Sequence, residues 1–579
     1  IFQFEFHKAM RGYSMRKLLF ALLSLCVIVH TSVAQDAQAP VAPNLESISV
    51  EDLKSDVYFL ASDEMRGRDT LSTESNIASA YIANRFRKAG LKPAGEDGGW
   101  YQNAKFAYTE FTEKPLIKMF EAVGEQPALE LAYGQDFTVI EGAASSVPNA
   151  GLAFAGYAIT DKAKNWDDFA NLDLKGKVAL LFRFEPSSWR STRGWSRSAF
   201  IESKKALLKK AGAAAAIMVT GPASTNGIDN WSVSKGPSPD ELSPPLALAD
   251  SEVAPSSDLP FFMASLKAVD RLLGGEGKTK ELQEALDKGE RALDFKGKTI
   301  SVEAKSQRVI KTGRNVLGKI EGQSDEWVVL GGHYDHIGLG YFGANDARTG
   351  MGQVHNGADD NASGTSAIME IAEAFAKHGK PKRNFLFIAF TGEEKGLLGS
   401  EWYGRHPLVP HDKTLAMINI DMIGRVRNQR LEMHGMASSA ALSRHVRAVE
   451  PLFPALKLKL IEQPVGPVSD MWAFYKAGVP VLFPFSGYNA EMHSVKDDPE
   501  TINYEGLREA TRLIAEIAWR VSESDEIPDY RGTNKEARGP DGRYRIPRKD
   551  EPAPETPRKP EPKKETPGKD EEQEEEFSR

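Results

Sequence analysis

Five short segments of the chain place histidine or carboxylate side chains directly after apolar runs. "GGHYDHIGLG" contributes His333, Asp335 and His336, and "NGADDNASG" contributes Asp359 and Asp360. "FTGEEKGLLGS" holds Glu393 and Glu394, "NIDMIGR" holds Asp421, and "NAEMHSVKDDP" holds His493. Alone, each has an ordinary explanation: Asp359 could cap the helix that follows it, and Asp421 could belong to a turn. Two histidines and three carboxylates drawn from them can form a donor set able to hold two divalent ions. Imidazole and carboxylate suit Zn²⁺, which tolerates four or five ligands and leaves a position for water. One carboxylate must bridge if the ions lie ~3.5–4 Å apart. Such a pair acidifies a shared water and polarises the carbonyl it attacks. A further carboxylate that is not a ligand must then carry the water proton to the leaving amine. Glu393 and Glu394 are adjacent and point different ways, so they can divide these tasks.

The elements that would position these residues are legible around them. From about residue 300 the chain alternates "EWVVLGGHYD", a helix from Ser363 to His378, "NFLFIAFTGEE", a helix near Leu397 to Gly404, and "LAMINIDMIG". Phe385 to Phe390 is apolar throughout, as expected of a strand covered by helices on both sheet faces. Ligand sites in such α/β folds gather at the carboxyl ends of the strands, and each polar residue named above follows one. Upstream, residues 47–92 read as two helices around a polar loop, the second with Ile77, Ala80, Ile82 and Phe86 on one face and Gly90 at its end. Between about 125 and 285 the character changes. "GLAFAGYAI" and "GKVALLFRF" read as strands, and "KKALLKKAGAAAAIMVTG" reads as a helix running into a buried strand. No cluster of His, Asp and Glu accompanies them.

Composition bounds the rest. A chain of 579 residues exceeds one ordinary core, and 41% hydrophobic residues suffice for more than one. A formal charge of −8, with basic residues scattered, gives no electrostatic footprint for nucleic acid. "MRKLLFALLSLCVIVHTSVAQDA" from Met15 reads as an export signal, with Ser32 and Ala34 at the cleavage site and a mature start at Gln35. Its apolar run is too short for a stable membrane span. The single cysteine, Cys26, lies inside it, so the exported chain would rely on oxygen and nitrogen groups alone. After about Glu523 the sequence is rich in Pro, Lys and Glu, and reads as a disordered charged tail.

These motifs, in this order over residues 300–520, resemble the co-catalytic di-zinc aminopeptidase family of metallo-exopeptidases. "LASDEMRGR" and "YIANRFRKAGLKP" resemble that family's N-terminal part. "GLAFAGYAIT" with "NWDDFANLDLKGKVALL" resembles an inserted protease-associated domain. The resemblance implies a mixed central β-sheet flanked by helices with a β-rich α+β insert. It implies two Zn²⁺ ions, with His333 and Asp421 on one, Glu394 and His493 on the other, and Asp359 bridging. Glu393 would be the general acid/base, Asp335 would orient His333, and Asp497 would support His493. His336 would be a structural neighbour, and His355, His378, His406, His411, His434 and His445 fit no ligand position. A cis peptide is expected after the bridging residue, at Asp359–Asp360. Where family members carry an oxyanion-stabilising Tyr before the last histidine, this chain has Met492; Tyr488 is the candidate substitute.

The organisation expected is therefore 1–34 upstream residues and signal, 35–46 linker, 47–124 N-terminal part of the peptidase domain, 125–285 insert, 286–522 catalytic domain and 523–579 tail. The function expected is an exported exopeptidase, foremost an aminopeptidase acting on peptide or protein N-termini, without nucleic-acid partners. A carboxypeptidase or dipeptidase, a glutaminyl cyclase-like acyltransferase and a metal-free receptor are the alternatives. The complete five-ligand set and Glu393 weigh against the last two.

Overall fold

The computed structural model describes residues 41–532, apart from 122–125, 142–144, 190–195, 200, 223–245, 252–258, 291–294 and 296. The export signal and everything after residue 532 lie outside the described residues. Helix α1 (Val50–Leu60) starts at Ser49, whose hydroxyl oxygen accepts from the Asp52 N–H. Helix α2 (Thr73–Ala89) starts the same way at Ser72 and stops at Gly90, whose φ of 92° needs a residue without a side chain. Strand β1 (Tyr101–Phe111) follows and leaves the first domain at its end.

The insert is wider than the sequence indicates. Strands β2 (Leu116–Phe120), β3 (Leu129–Ala132), β4 (Phe137–Glu141), β5 (Ser145–Phe154), β6 (Val178–Phe182) and β7 (Ala215–Val219) belong to it. So do β8 (Ala247–Leu248), β9 (Phe261–Ala264) and β10 (Thr299–Ala304). All but β8 form one eight-stranded sheet in the order β3-β2-β10-β5-β6-β7-β9-β4, with its own core. The chain returns in β11 (Ser306–Ile320), which pairs antiparallel with β1 from Ser306↔Phe111 to Val316↔Tyr101. The Thr112 N–H donates to the Lys305 carbonyl at 2.9 Å and closes the neck. The expected bounds of 125 and 285 are thus corrected to a unit running from β2 to β10. Strands β2, β3 and β10, at one side of that sheet, lack the unbroken apolar run that made β6 and β7 visible in the sequence.

The main sheet continues through β12 (Trp327–His333), helix α3 (Gly364–Ala376), β13 (Asn384–Phe390), helix α4 (Leu398–Arg405) and β14 (Thr414–Asn419). Then come β15 (Arg430–His434), helix α5 (Ala440–Val449), β16 (Lys457–Leu460), helix α6 (Met471–Lys476), β17 (Val481–Phe485) and helix α7 (Tyr504–Glu523). Strand order is β8-β1-β11-β13-β12-β14-β17-β15-β16, with the short Lys92–Pro93 strand also on β11. The run β13, β12, β14, β17 is parallel. Along β13, Phe385, Phe387 and Ala389 enter the core under α1, α2, α3 and α7, while Leu386, Ile388 and Phe390 enter the opposite core with Tyr403 and Phe474. Burial on both faces is why this strand is apolar at every position.

One expectation fails at the carboxyl end. Residues just past Glu523 are docked: the Tyr530 hydroxyl donates to the Tyr475 carbonyl at 2.7 Å, and its ring is buried. Asp529 Oδ1 accepts from the Ala440 and Ala441 N–H groups at the start of α5. A lone aromatic and a capping carboxylate anchor this stretch, and composition averages both away.

Candidate metal centre

Parallel register sets the stage. His333 pairs with Phe390 and Gly331 with Asn419, so β12, β13 and β14 end side by side. The turns leaving them carry Asp335 and His336, Glu393 and Glu394, and Asp421. Gly332 permits the close approach of β14, since a Cβ there would lie 2.2 Å from the Ile420 carbonyl oxygen. Asn361 ties the ends together, donating to the carbonyls of His333 (3.1 Å) and Ile420 (2.9 Å) and accepting from the Gly364 and Met422 N–H groups. His493 arrives from the turn after β17 with a left-handed φ of 52°, a backbone state that is often stored at functional sites.

Two sets of donor atoms converge there. His333, Glu393 and Asp421 form one, and His336, Asp360, Glu394 and His493 the other. His333 Nε2 lies 3.3 Å from Asp421 Oδ1, 3.3 Å from Asp360 Oδ1 and 4.0 Å from Glu393 Oε2. His493 Nε2 lies 3.0 Å from Asp360 Oδ2 and 3.1 Å from Glu394 Oε2. Asp360 therefore faces each set with a different carboxylate oxygen. That corrects the expectation for Asp359. The Asp359 side chain turns away, accepting from the Gly424 N–H at 2.8 Å, the Asn489 amide at 3.1 Å and the Ser363 hydroxyl at 3.3 Å. The cis peptide likewise lies one residue on, at Asp360–Asn361. "ADDN" holds two adjacent carboxylates, and only the backbone path decides which faces inward.

The supporting contacts also differ from expectation. His333 Nδ1 donates to the Asp335 carbonyl at 3.1 Å, and the Asp335 carboxylate stands further off at 3.8 Å. That carboxylate instead accepts from the Thr70 hydroxyl at 2.6 Å and from the Glu393 N–H at 3.3 Å. Asp335 thus links the Glu393–Glu394 turn to the "DEMRGRDT" segment. In the same segment the fully buried Arg68 donates to the carbonyls of Tyr334 (2.8 Å), Asn356 (2.7 Å) and Gly357 (3.0 Å). Asp497 does not contact His493. It accepts from the Asp359 and Asp360 N–H groups and pairs with Arg425 at 2.8 Å, while His493 Nδ1 donates to the Gly343 carbonyl at 2.9 Å. Ser469, which the sequence alone does not single out, donates to Asp421 Oδ2 at 2.7 Å. Tyr488 is 73% exposed and stacks edge-on against Phe485. It lines a groove of ≈ 280 Å³ with Val465, Val468, Phe483 and Phe485.

Electrostatics favour a cation between these atoms. Burial opposes charge on His333, yet Glu393, Asp421 and Asp360 hold its imidazole well above the usual histidine range. Burial likewise opposes charge on Asp360, but His333 and His493 hold its carboxyl well below the usual range. Glu394 is taken down to about 2: burial and Asp360 work against ionisation, and His493 and His336 outweigh them. Glu393 goes the other way. Burial, then Glu394, Asp421 and Asp470, hold it well above the carboxylate range against the pull of His333. Mixed imidazole and carboxylate donors, rich in negative charge and free of sulfur, fit zinc.

The donor set thus stands at the carboxyl ends of parallel strands in an α/β sheet. Residues 315–518 match the model of Peptidase family M28. A probable zinc metalloprotease of Pyrenophora teres f. teres (strain 0-1) is 28% identical over 287 residues, 44% of this chain and 59% of that protein. A probable leucine aminopeptidase of Trichophyton verrucosum (strain HKI 0517) is 27% identical over 213 residues, 34% of this chain and 54% of that protein. The matched stretch thus spans little more than half the length of these curated relatives. Among solved structures, the aminopeptidase from Aneurinibacillus sp. strain AM-1 superposes with a TM-score of 0.52 at 19% identity, covering 84% of this chain and 96% of its own. A zinc aminopeptidase from Bacillus subtilis does so with a TM-score of 0.50 at 18% identity, covering 83% and 99%.

Proposed function

We propose that the protein is an exported zinc-dependent exopeptidase, an aminopeptidase that removes residues from peptide N-termini at a site for two zinc ions. The observation that carries this reading is the position of Asp360, with one oxygen 3.3 Å from His333 and the other 3.0 Å from His493. His333 and Asp421 would hold one ion, Glu394 and His493 the other, with Asp360 shared. Zinc bound there supplies Lewis acidity toward water and toward the peptide carbonyl. Glu393 takes the proton from water and delivers it to the leaving amine. Its carboxylate stands at the first donor set, 4.0 Å from His333 Nε2, where such a transfer requires it. Asp335 fixes the Glu393 backbone through the N–H it accepts, and Thr70 fixes Asp335.

Three basic side chains near the cluster support the amino-terminal direction. Arg68 is engaged by backbone carbonyls, Arg425 by Asp497 and Glu491, and Lys395 by Asp69, so none is left to receive a substrate carboxylate. A free ammonium group, by contrast, suits surroundings rich in carboxylates. The insert is read as a protease-associated domain, and export rests on the segment from Met15. No helix among the described residues is long and apolar enough to cross a membrane. The test is a peptide library offered to zinc-loaded protein with free and with acetylated N-termini. Stepwise release from free N-termini alone is expected. Release from the carboxyl end of blocked peptides would assign a carboxypeptidase, and no release at all would assign a binding protein.

A further inference from the structure

His336 has no role in the five-ligand reading, yet its side chain is fully buried inside the second donor set. Its Nδ1 lies 2.8 Å from Glu394 Oε1, and its Nε2 has no hydrogen-bond partner among the described residues. The ring therefore makes one hydrogen bond, and that bond goes to Glu394. Its position is built in from both sides. The His336 N–H donates to the Arg68 carbonyl at 3.3 Å, and the ring lies against Gly357, where a Cβ would fall 2.5 Å from its Cγ. Gly357 also has a φ of +61°, so glycine serves both the turn and the ring at that position. Glu394 is thereby held by its two oxygens in different ways. Oε1 meets His336, while Oε2 lies 3.1 Å from His493 Nε2, on the side where Asp360 Oδ2 also stands.

We propose that His336 is a positioning residue for Glu394: donating from Nδ1 to Oε1, it presents Oε2 alone to the ion shared with His493 and Asp360. A carboxylate held through Oε1 in this way is fixed in orientation, with Oε2 turned toward His493 and Asp360. Partners that orient a ligand in this way are worth about 10–100-fold in metal affinity or activity. The inference rests on the two-zinc reading and adds to it a residue that is not itself a ligand.

Two near-isosteric variants test it. In His336→Asn the amide nitrogen falls near the place of Nδ1, whereas in His336→Gln it falls near Nε2 and cannot reach Glu394. Zinc affinity at each site is read by chelator competition, alongside the thermal midpoint of the metal-stripped protein and kcat and KM on an unblocked peptide. The expected result is that His336→Gln loses about tenfold or more in affinity at one site only, while His336→Asn stays close to wild type. Both should fold without metal. If the two variants lose one ion equally, His336 is a ligand rather than a positioning residue. If both keep two ions at wild-type affinity, it only fills space; either result overturns the proposal. Wild-type protein that binds no zinc would instead defeat the proposed function itself, a result visible before either variant is made.

Discussion

At the scale of single residues, the two adjacent carboxylates of "ADDN" have different surroundings. Asp359 and Asp360 are chemically the same, and both are buried. The difference is that Asp360 has imidazole nitrogens on both sides while Asp359 has N–H and hydroxyl donors. Asp360→Asn should therefore lose zinc at both positions, by about tenfold or more in affinity, with little change in metal-free stability. Asp359→Asn should instead lower the thermal midpoint, because its oxygens satisfy the Gly424 N–H and the Asn489 amide. Metal analysis and melting curves of the pair distinguish them, and a zinc loss confined to Asp359→Asn would restore the original assignment. The neighbouring glutamates differ just as sharply. Glu393→Gln should keep both ions while kcat falls by ~10²–10⁴. Glu394→Gln should lose one ion, with activity partly restored by excess zinc. Kinetics with and without added zinc decide, and metal loss in Glu393→Gln would reverse the two roles.

At the scale of elements, the helices and the doubly buried strands were legible because period and caps announce them. Ser72 and Gly90 bracket α2, and Phe385–Phe390 reads as a buried strand. What could not be read was where polar stretches dock. The loop between α1 and α2 turns inward through Arg68 and Thr70, and the stretch past α7 packs through Tyr530. Cutting the chain after Glu523 should therefore destabilise it by on the order of 3 kcal/mol, the usual scale for losing a buried aromatic. Cutting after residue 532 should leave the described residues' contacts intact and the melt unchanged. Equal melts for the two truncations would refute the docking. A second element-level feature is the cluster joining α1, α2 and α3. Arg85 meets Glu370 at 2.6 Å and Asp56 at 3.2 Å, and burial raises Glu370 to about 7 and Asp56 to about 6. Carboxyls raised on folding bind more protons in the folded than in the unfolded state between about pH 4.5 and 7, so their contribution to stability falls as pH rises through that window. Glu370→Gln should flatten the decline in thermal midpoint from about pH 5 to 7.5. An unchanged slope would show that Glu370 does not titrate there.

At the scale of the whole molecule, two sheets share one chain. The insert leaves the main sheet at Phe111 and returns at Ser306, and it also sends β8 back to pair with β1. Leu248 packs with Phe106, Leu398 and Trp402, and Asp250 pairs with Arg405 at 2.9 Å on α4, the helix that follows the Glu393–Glu394 turn. β6 and β7 are legible in the sequence because they are unbroken apolar runs. The sequence does not show this strap, since a two-residue strand leaves no periodic signal. Both the peptidase reading and the role given to His336 rest on one property of the assembled protein, its capacity for two ions at a shared carboxylate. Zinc bound per chain, measured by equilibrium dialysis of the full-length protein while amino-acid release from an unblocked peptide is followed, tests that property most directly. Two ions per chain are predicted, with full release reached only as the second binds. Full activity with a single ion, or a folded chain that takes up none, would contradict it.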